Sequence, residues 1–208
     1  MAYRYVVKFN HPGLDGLIGP EGLEKGSITL IVGAAGTGKT SLVLQLARGA
    51  KAPCIVDTEG ISLKRVEQVG SLHAKIRRVV RFEEQAEVLE KLWPGECDFL
   101  AVDSLVMLYR LNLAQDPDQA NWMLARQMAG LAKFAETQGV PVVVTGHIYE
   151  WEGKKKIVSG DVVKYWAKTI LLLEKRGRTG ERRAVLLKHP WKPEGRSARF
   201  KMCESGVC

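Results

Sequence analysis

No apolar run in this 208-residue chain reaches the roughly 18–20 residues that a membrane-spanning helix needs. The first ten residues hold a short apolar patch. They lack the charged start, long apolar core and small-residue cleavage site of a secretory signal. These absences predict an intracellular, cytoplasmic protein with no membrane partner. Cysteine is scarce: Cys54, Cys97, Cys203 and Cys208 are the four. Cys203 and Cys208 are close in sequence, but no second Cys or His pair completes a zinc site. Cys54 lies in an apolar run, where it reads as a small buried hydrophobe. Free thiols in a reducing compartment are therefore expected. No internal repeat, low-complexity tract or Pro/Ser-rich linker interrupts the chain, which predicts one domain over residues 1–208.

What is present is ordinary for a globular protein: 46% hydrophobic and 26% charged residues, enough to bury one large core. The formal net charge is +8, which suits a polyanionic partner such as nucleic acid. The basic residues concentrate over 153–201, although a charge run can equally be a solvated face.

Residues 33–40 read GAAGTGKT, the phosphate-binding pattern of two glycines with four residues between them, followed by Lys and Ser or Thr. An apolar run, Ser27–Val32, precedes it, and a helical pattern with Leu42, Val43, Leu46 and Ala47 on one face follows. Glycines let successive backbone N–H groups turn toward an anion, and a helix start adds partial positive charge. The loop residues Gly33, Ala34, Ala35, Gly36, Thr37, Gly38, Lys39, Thr40 and Ser41 are thus the candidate ATP contacts. Lys39 would reach the β- and γ-phosphates, and the Thr40 hydroxyl would ligate Mg²⁺.

Further strands are read at Pro53–Asp57, Ile76–Val80, Phe99–Asp103 and Val140–Thr145. Helices are read at 63–69, at Glu83–Leu92 with Ala86, Leu89 and Leu92 inward, and at Pro117–Gln138. The last is opened by Asp116 as cap and Pro117 at its first position and closed by Gly139. Strands alternating with helices imply an α/β fold with a mostly parallel twisted sheet and helices on both faces. The strand candidates Lys168–Glu174, Arg182–Lys188 and Arg196–Met202, with a turn at Gly177-Arg178-Thr179-Gly180, predict a C-terminal antiparallel extension. Ligands in such sheets bind at the carboxyl ends of the strands.

Three of those ends are polar. Asp57-Thr58-Glu59-Gly60 offers Glu59 to orient a water at the γ-phosphate, or merely to cap the turn. Asp103 ends an apolar strand and suits the Mg²⁺ side. Gly146-His147 ends another, with His147 either sensing phosphate or bonding backbone.

In this order the pieces resemble the RecA superfamily of ATPases, and within it the short archaeal relatives of the RadA recombinase. The resemblance runs through Leu14–Gly19, Gly22–Ile28, the phosphate loop, Asp57–Gly60, Val102–Ser104 with Leu108–Arg110, Ser159–Asp161 with Lys164–Trp166, and Pro193–Arg196. It implies a RecA-like ATPase core that binds ATP and Mg²⁺, hydrolyses slowly, and serves homologous recombination and DNA repair. It assigns Lys39 and Thr40 to phosphate and metal, Glu59 to the attacking water and Asp103 to the metal. Lys188 matches a late-strand base that acts on a neighbouring subunit's ATP, though a solvated strand lysine reads equally well. Recombinases usually carry Asn-Gln at the place of Gly146-His147. The segment Ile148–Val158 is short for strand exchange, and neither an N-terminal helical DNA-binding domain nor a Phe-x-x-Ala docking segment is seen. An accessory role, with recombinase or other repair proteins as partners and weak self-association, follows from these departures.

The resemblance puts Tyr149, Trp151, Lys154, Lys155 and Lys156 in the DNA-facing loop. Rings beside lysines suit single-stranded DNA, since bases stack and lysines neutralise phosphates. An ordinary exposed hairpin is the plain alternative. Trp191 with Lys188 and Lys192 is a second, weaker cluster. Two other functions compete: an ATP-controlled protein-binding module with little direct DNA role, and a small-molecule kinase, disfavoured by the lack of an arginine-rich lid insertion.

Overall fold

The structure, a computed structural model, describes residues 6–91, 95–177 and 180–208. The chain runs α1 (Pro12–Ile18), β1 (Ile28–Gly33), α2 (Lys39–Arg48), β2 (Pro53–Asp57), α3 (Leu63–Val69), β3 (Lys75–Arg78), α4 (Phe82–Glu90) and β4 (Phe99–Asp103). It continues through α5 (Met107–Leu113), α6 (Pro117–Gln138), β5 (Val142–Trp151), β6 (Lys154–Ile157), α7 (Gly160–Trp166), β7 (Thr169–Lys175), β8 (Glu181–Lys188), β9 (Ser197–Cys203) and β10 (Gly206–Val207).

These strands form one sheet in the order β10-β9-β8-β7-β1-β5-β4-β2-β3, with β6 hydrogen-bonded to β5. From β7 to β3 every pairing is parallel. From β7 to β10 every pairing is antiparallel. The parallel core with an antiparallel C-terminal extension is therefore as the sequence predicts.

The central strands are apolar at consecutive positions because both of their faces are covered. Ile28, Leu30 and Val32 of β1 point into a core shared with α4–α7, while Ile31 points into a second core with Leu14 of α1 and Leu42 and Leu46 of α2. The same division separates Val142 and Val144 from Val143 in β5. Such alternation follows from the two-residue side-chain period of a strand.

Local signals set the longest helix. The Asp116 side chain accepts the Gln119 N–H, Pro117 is at the start, and Gly139 ends the helix at φ 62°. Replacing such a side-chain cap with alanine costs about 1 kcal/mol. Leu124, Met128, Leu131, Phe134 and Ala135 of α6 then fill the first core.

Several expectations change. Of the two readings of Ile148–Val158, loop and exposed hairpin, the structure has the hairpin: β5 runs on to Trp151 and pairs with β6, Tyr149 opposite Lys156. The four cysteines are paired, Cys54 with Cys97 and Cys203 with Cys208. The topology explains both pairs. Cys97 precedes β4, the neighbour of β2 that carries Cys54, and the turn between β9 and β10 brings Cys208 back beside Cys203. The Cα separations, 5.9 and 6.1 Å, lie within the range a disulfide spans. In α4 the buried side chains are Phe82, Gln85, Val88 and Leu89, while Ala86 is half-buried. Leu92, Arg178 and Thr179 lie outside the described residues. Among the described residues no helix is long and apolar enough to cross a membrane.

Candidate functional site

Strand β1 ends at Gly33 and α2 starts at Lys39, so the intervening residues form a loop at the carboxyl edge of the sheet. Its glycines are required by geometry. Gly38 caps α2 at φ 102°, and a Cβ there would lie 2.8 Å from the Met202 sulfur. A Cβ on Gly33 would lie 2.6 Å from Thr37 Oγ1 and 2.8 Å from the Leu173 carbonyl oxygen. The Thr37 hydroxyl donates to the Ala34 carbonyl at 2.9 Å, drawing the loop closed. Lys39 folds back over it, its Nζ donating to the carbonyls of Gly33 and Ala34 at 3.1 and 3.2 Å. Burial lowers the Lys39 pKa, opposed by the charges of Glu59 and Asp103.

Asp103 ends β4 and is fully buried. Its Oδ1 accepts the Thr145 hydroxyl at 2.5 Å. Its Oδ2 is buried without a hydrogen-bond partner. Burial pushes the Asp103 pKa up, opposed chiefly by the hydroxyls of Thr145 and Thr40. A buried, unpartnered carboxylate oxygen near a threonine hydroxyl is a donor set that suits Mg²⁺. Among the described residues no group of three His, Cys, Asp or Glu would hold a metal by itself. Mg²⁺ sites commonly take one or two carboxylates and complete the shell with waters and substrate phosphates.

Asp57 builds the turn that carries Glu59. Its Oδ1 accepts the N–H groups of Glu59 and Gly60 at 3.0 and 2.8 Å, and its Oδ2 accepts that of Ile61 at 2.9 Å. Arg78 of β3 pairs with the same carboxylate at 3.2 Å. Thr58 ties the turn to β4: its hydroxyl donates to the Ser104 carbonyl at 2.7 Å, and the Ser104 N–H donates back to it at 2.9 Å. Glu59 Oε1 then lies 2.6 Å from His147 Nε2. The hydrogen bond to His147 is the main reason that the Glu59 pKa falls to about 2, against the opposing effect of burial. His147 is level with Gly33 in the β1–β5 register.

Lys39, Glu59 and His147 border a cleft of about 480 Å³, lined also by Ala35, Gly36, Gly38, Thr40 and Ser41 of the loop and by Arg65, Arg182, Met202 and Cys203.

The Rad51 family model matches residues 74–208. The chain is 36% identical to the DNA repair and recombination protein RadB of Methanobrevibacter smithii, over 94% of this chain and 92% of that protein.

The chain belongs to the Rad51 family.

RadB of Methanococcoides burtonii is 35% identical over 93% of each chain. The crystal structure of the RadB recombinase superposes with a TM-score of 0.85 at 29% identity, covering 97% of this chain and 98% of that one. The fold of this Rad51-family chain is thus the RecA-like one. The family model begins after the phosphate loop and Asp57–Gly60, whereas the RadB likeness covers nearly the whole chain.

In this Rad51-family chain the structure joins Lys39, Thr40, Glu59, Asp103 and His147 at one mouth of the sheet. It does not bring Lys188 there. Lys188 pairs with Ile170, which is level with Leu30, three residues before the end of β1. Its Nζ donates to the carbonyls of Lys164 and Ala167 at 3.0 and 2.6 Å. The hairpin residues Tyr149 and Trp151 stand out from the surface, 44% and 56% exposed. Lys154 and Lys156 are exposed, while Lys155 Nζ pairs with Glu174 at 2.7 Å.

Sequence reasoning missed Arg65, Arg182 and Met202. The Arg65 guanidinium donates to Ser41 Oγ at 3.2 Å and to the carbonyls of Cys203, Glu204 and Gly206 at 3.0, 2.7 and 3.4 Å. Arg182 donates to the Gly36 carbonyl at 3.2 Å. No local pattern marks these residues; only the fold brings strands β8–β10 against the loop.

Proposed function

We propose that the chain binds ATP with Mg²⁺, hydrolyses it slowly, and binds single-stranded DNA as an accessory or regulator of homologous recombination and DNA repair in the cytoplasm. The observation that carries this reading is the convergence of Lys39, Thr40, Glu59 and Asp103 on one glycine-built loop at the strand ends. The backbone N–H groups of Gly33–Ser41 would receive phosphate oxygens, and Lys39 would leave its two carbonyls to meet them. Thr40 and Asp103 would hold the metal. Mg²⁺, when bound, supplies charge neutralisation across the phosphates. Glu59 orients the attacking water, a task of placement more than of base strength. Lys188 would act only on the nucleotide of a neighbouring protomer, in a weak homo-oligomer.

Tyr149 and Trp151 present stacking faces beside Lys154 and Lys156, with Lys155 on the other side of the ribbon, an arrangement that suits single-stranded DNA. One observation favours a second reading, an ATP-controlled protein-binding module with little direct DNA role: Lys155 is already engaged by Glu174. Titrating single-stranded DNA at several salt concentrations, with and without Mg²⁺–ATP, decides between them. Affinity that falls with salt and is weakened by Trp151→Ala supports the DNA reading. An absence of binding favours the second. Lys39→Ala is expected to abolish nucleotide binding or turnover in either case, and its retention of both would overturn the site itself.

A further inference from the structure

We infer that His147 is a positioning residue for hydrolysis, one that grips one oxygen of Glu59 and so aims the other at the water beside Lys39. This rests on the proposed role of Glu59.

Two separate anchors fix the Glu59 carboxylate. Its main chain is set by Asp57, which accepts three consecutive N–H groups of the turn. Its side chain is set chiefly by His147, through Oε1. The carboxylate is also drawn by the Ser104 side chain beyond β4 and by the charge of Lys39 on the phosphate loop. Among the charged groups facing the pair, Lys39 comes from α2 and Asp103 from the end of β4.

The histidine is itself held on both sides. Its residue pairs with Gly33 across the β1–β5 ladder. Its carbonyl accepts the Val158 N–H at 2.9 Å, at the point where the hairpin begins. The ring therefore projects from a rigid strand, whereas Glu59 projects from a turn. In such a pair the strand residue orients the turn residue, the logic by which a base is held by a third group.

The direction of the effect follows from the chemistry. A hydrogen bond from His147 weakens Glu59 as a base. The phosphoryl transition state is loose, with little demand for proton abstraction and much for placement. Losing orientation thus outweighs any gain in base strength, so removing His147 slows the reaction. A neutral donor of similar reach, such as a glutamine amide, can supply the same bond.

The test is steady-state ATP hydrolysis by the full chain with Mg²⁺, comparing wild type, His147→Ala, His147→Gln, Glu59→Gln and the Glu59→Gln/His147→Ala double variant. Expected is a kcat for His147→Ala lower by roughly ten- to a hundredfold, with KM for ATP unchanged and recovery of most of the rate in His147→Gln. In the Glu59→Gln background, His147→Ala should change nothing further, because it acts only through Glu59. A wild-type kcat in His147→Ala, with Glu59→Gln inactive, overturns this inference alone. A raised KM with kcat intact overturns it too, making His147 a phosphate ligand. Wild-type turnover in Glu59→Gln overturns the reading of Glu59 on which it rests.

Discussion

Replacing Asp103 with asparagine separates what stabilises this fold from what equips it to act. The carboxylate is fully buried, with one oxygen bonded to the Thr145 hydroxyl and the other unpartnered. Leaving a buried polar atom without a partner costs about 1–3 kcal/mol. Asparagine keeps an oxygen for Thr145, discards the charge, and turns an amide toward the Thr40 hydroxyl. The ligand-free variant should gain about 1 kcal/mol, or about 2–4 °C in melting temperature for a chain of this size. The pH dependence has a definite sign. Burial raises the folded pKa of Asp103 above the ordinary 3.8. The folded state therefore keeps a proton that the unfolded chain releases, and stability falls as pH rises through that window. The advantage of asparagine is thus largest at neutral pH and shrinks toward acid. With Mg²⁺ and ATP the order should reverse, since the wild type gains ligand stabilisation that the variant lacks. Thermal unfolding with and without Mg²⁺–ATP, at neutral and mildly acid pH, measures both effects. A ligand-free variant that melts below wild type, or one that gains as much from Mg²⁺–ATP, refutes the reasoning.

Substitutions at Gly38, Met202 and Arg65 test the walls of the site, with Gly139→Ala as a control at the end of α6. Gly38→Ala combines a left-handed backbone with a contact on Met202, whereas Gly139→Ala has the backbone term alone, with nothing within 4 Å of its Cβ. Each should lose about 1–2 kcal/mol from backbone strain, and Gly38→Ala should lose more, with Met202→Ala recovering the excess in urea denaturation. Arg65→Ala should release the C-terminal hairpin locally: exchange at the paired Lys201 and Cys208 amides should quicken by roughly ten- to a hundredfold, with β1 amides unchanged.

Residues whose role is decided within a few positions of sequence were legible in advance. Asp116, Pro117 and Gly139 bound α6 because caps act on neighbouring backbone. The phosphate loop is likewise local, since its glycines, Lys39 and Thr40 serve one turn. Asp103 was legible from the apolar strand that it ends. Pairings across the fold were not. Glu59 and His147 lie 88 positions apart, and Arg65 reaches carbonyls 138 to 141 positions away. The hairpin stood only as the alternative to a loop, because its turn is made by Glu152 and Gly153, both at positive φ, beside a lysine run that carries no strand pattern. Cys97 escaped because it lies outside any strand or helix, so nothing local points it at Cys54.

The ten residues of β5 form one unbroken strand, about 33 Å long at strand rise, that starts among buried valines and finishes in water. Its period of two fixes which way each ring points. Inserting or deleting a single residue between Thr145 and Tyr149 would swing Tyr149 and Trp151 to the opposite side of the ribbon. Length changes here can come only in pairs, or at the Glu152–Gly153 bend, where a longer tip leaves the inner register untouched. Engineered extensions of the β5–β6 hairpin by an odd number of residues therefore belong at that bend.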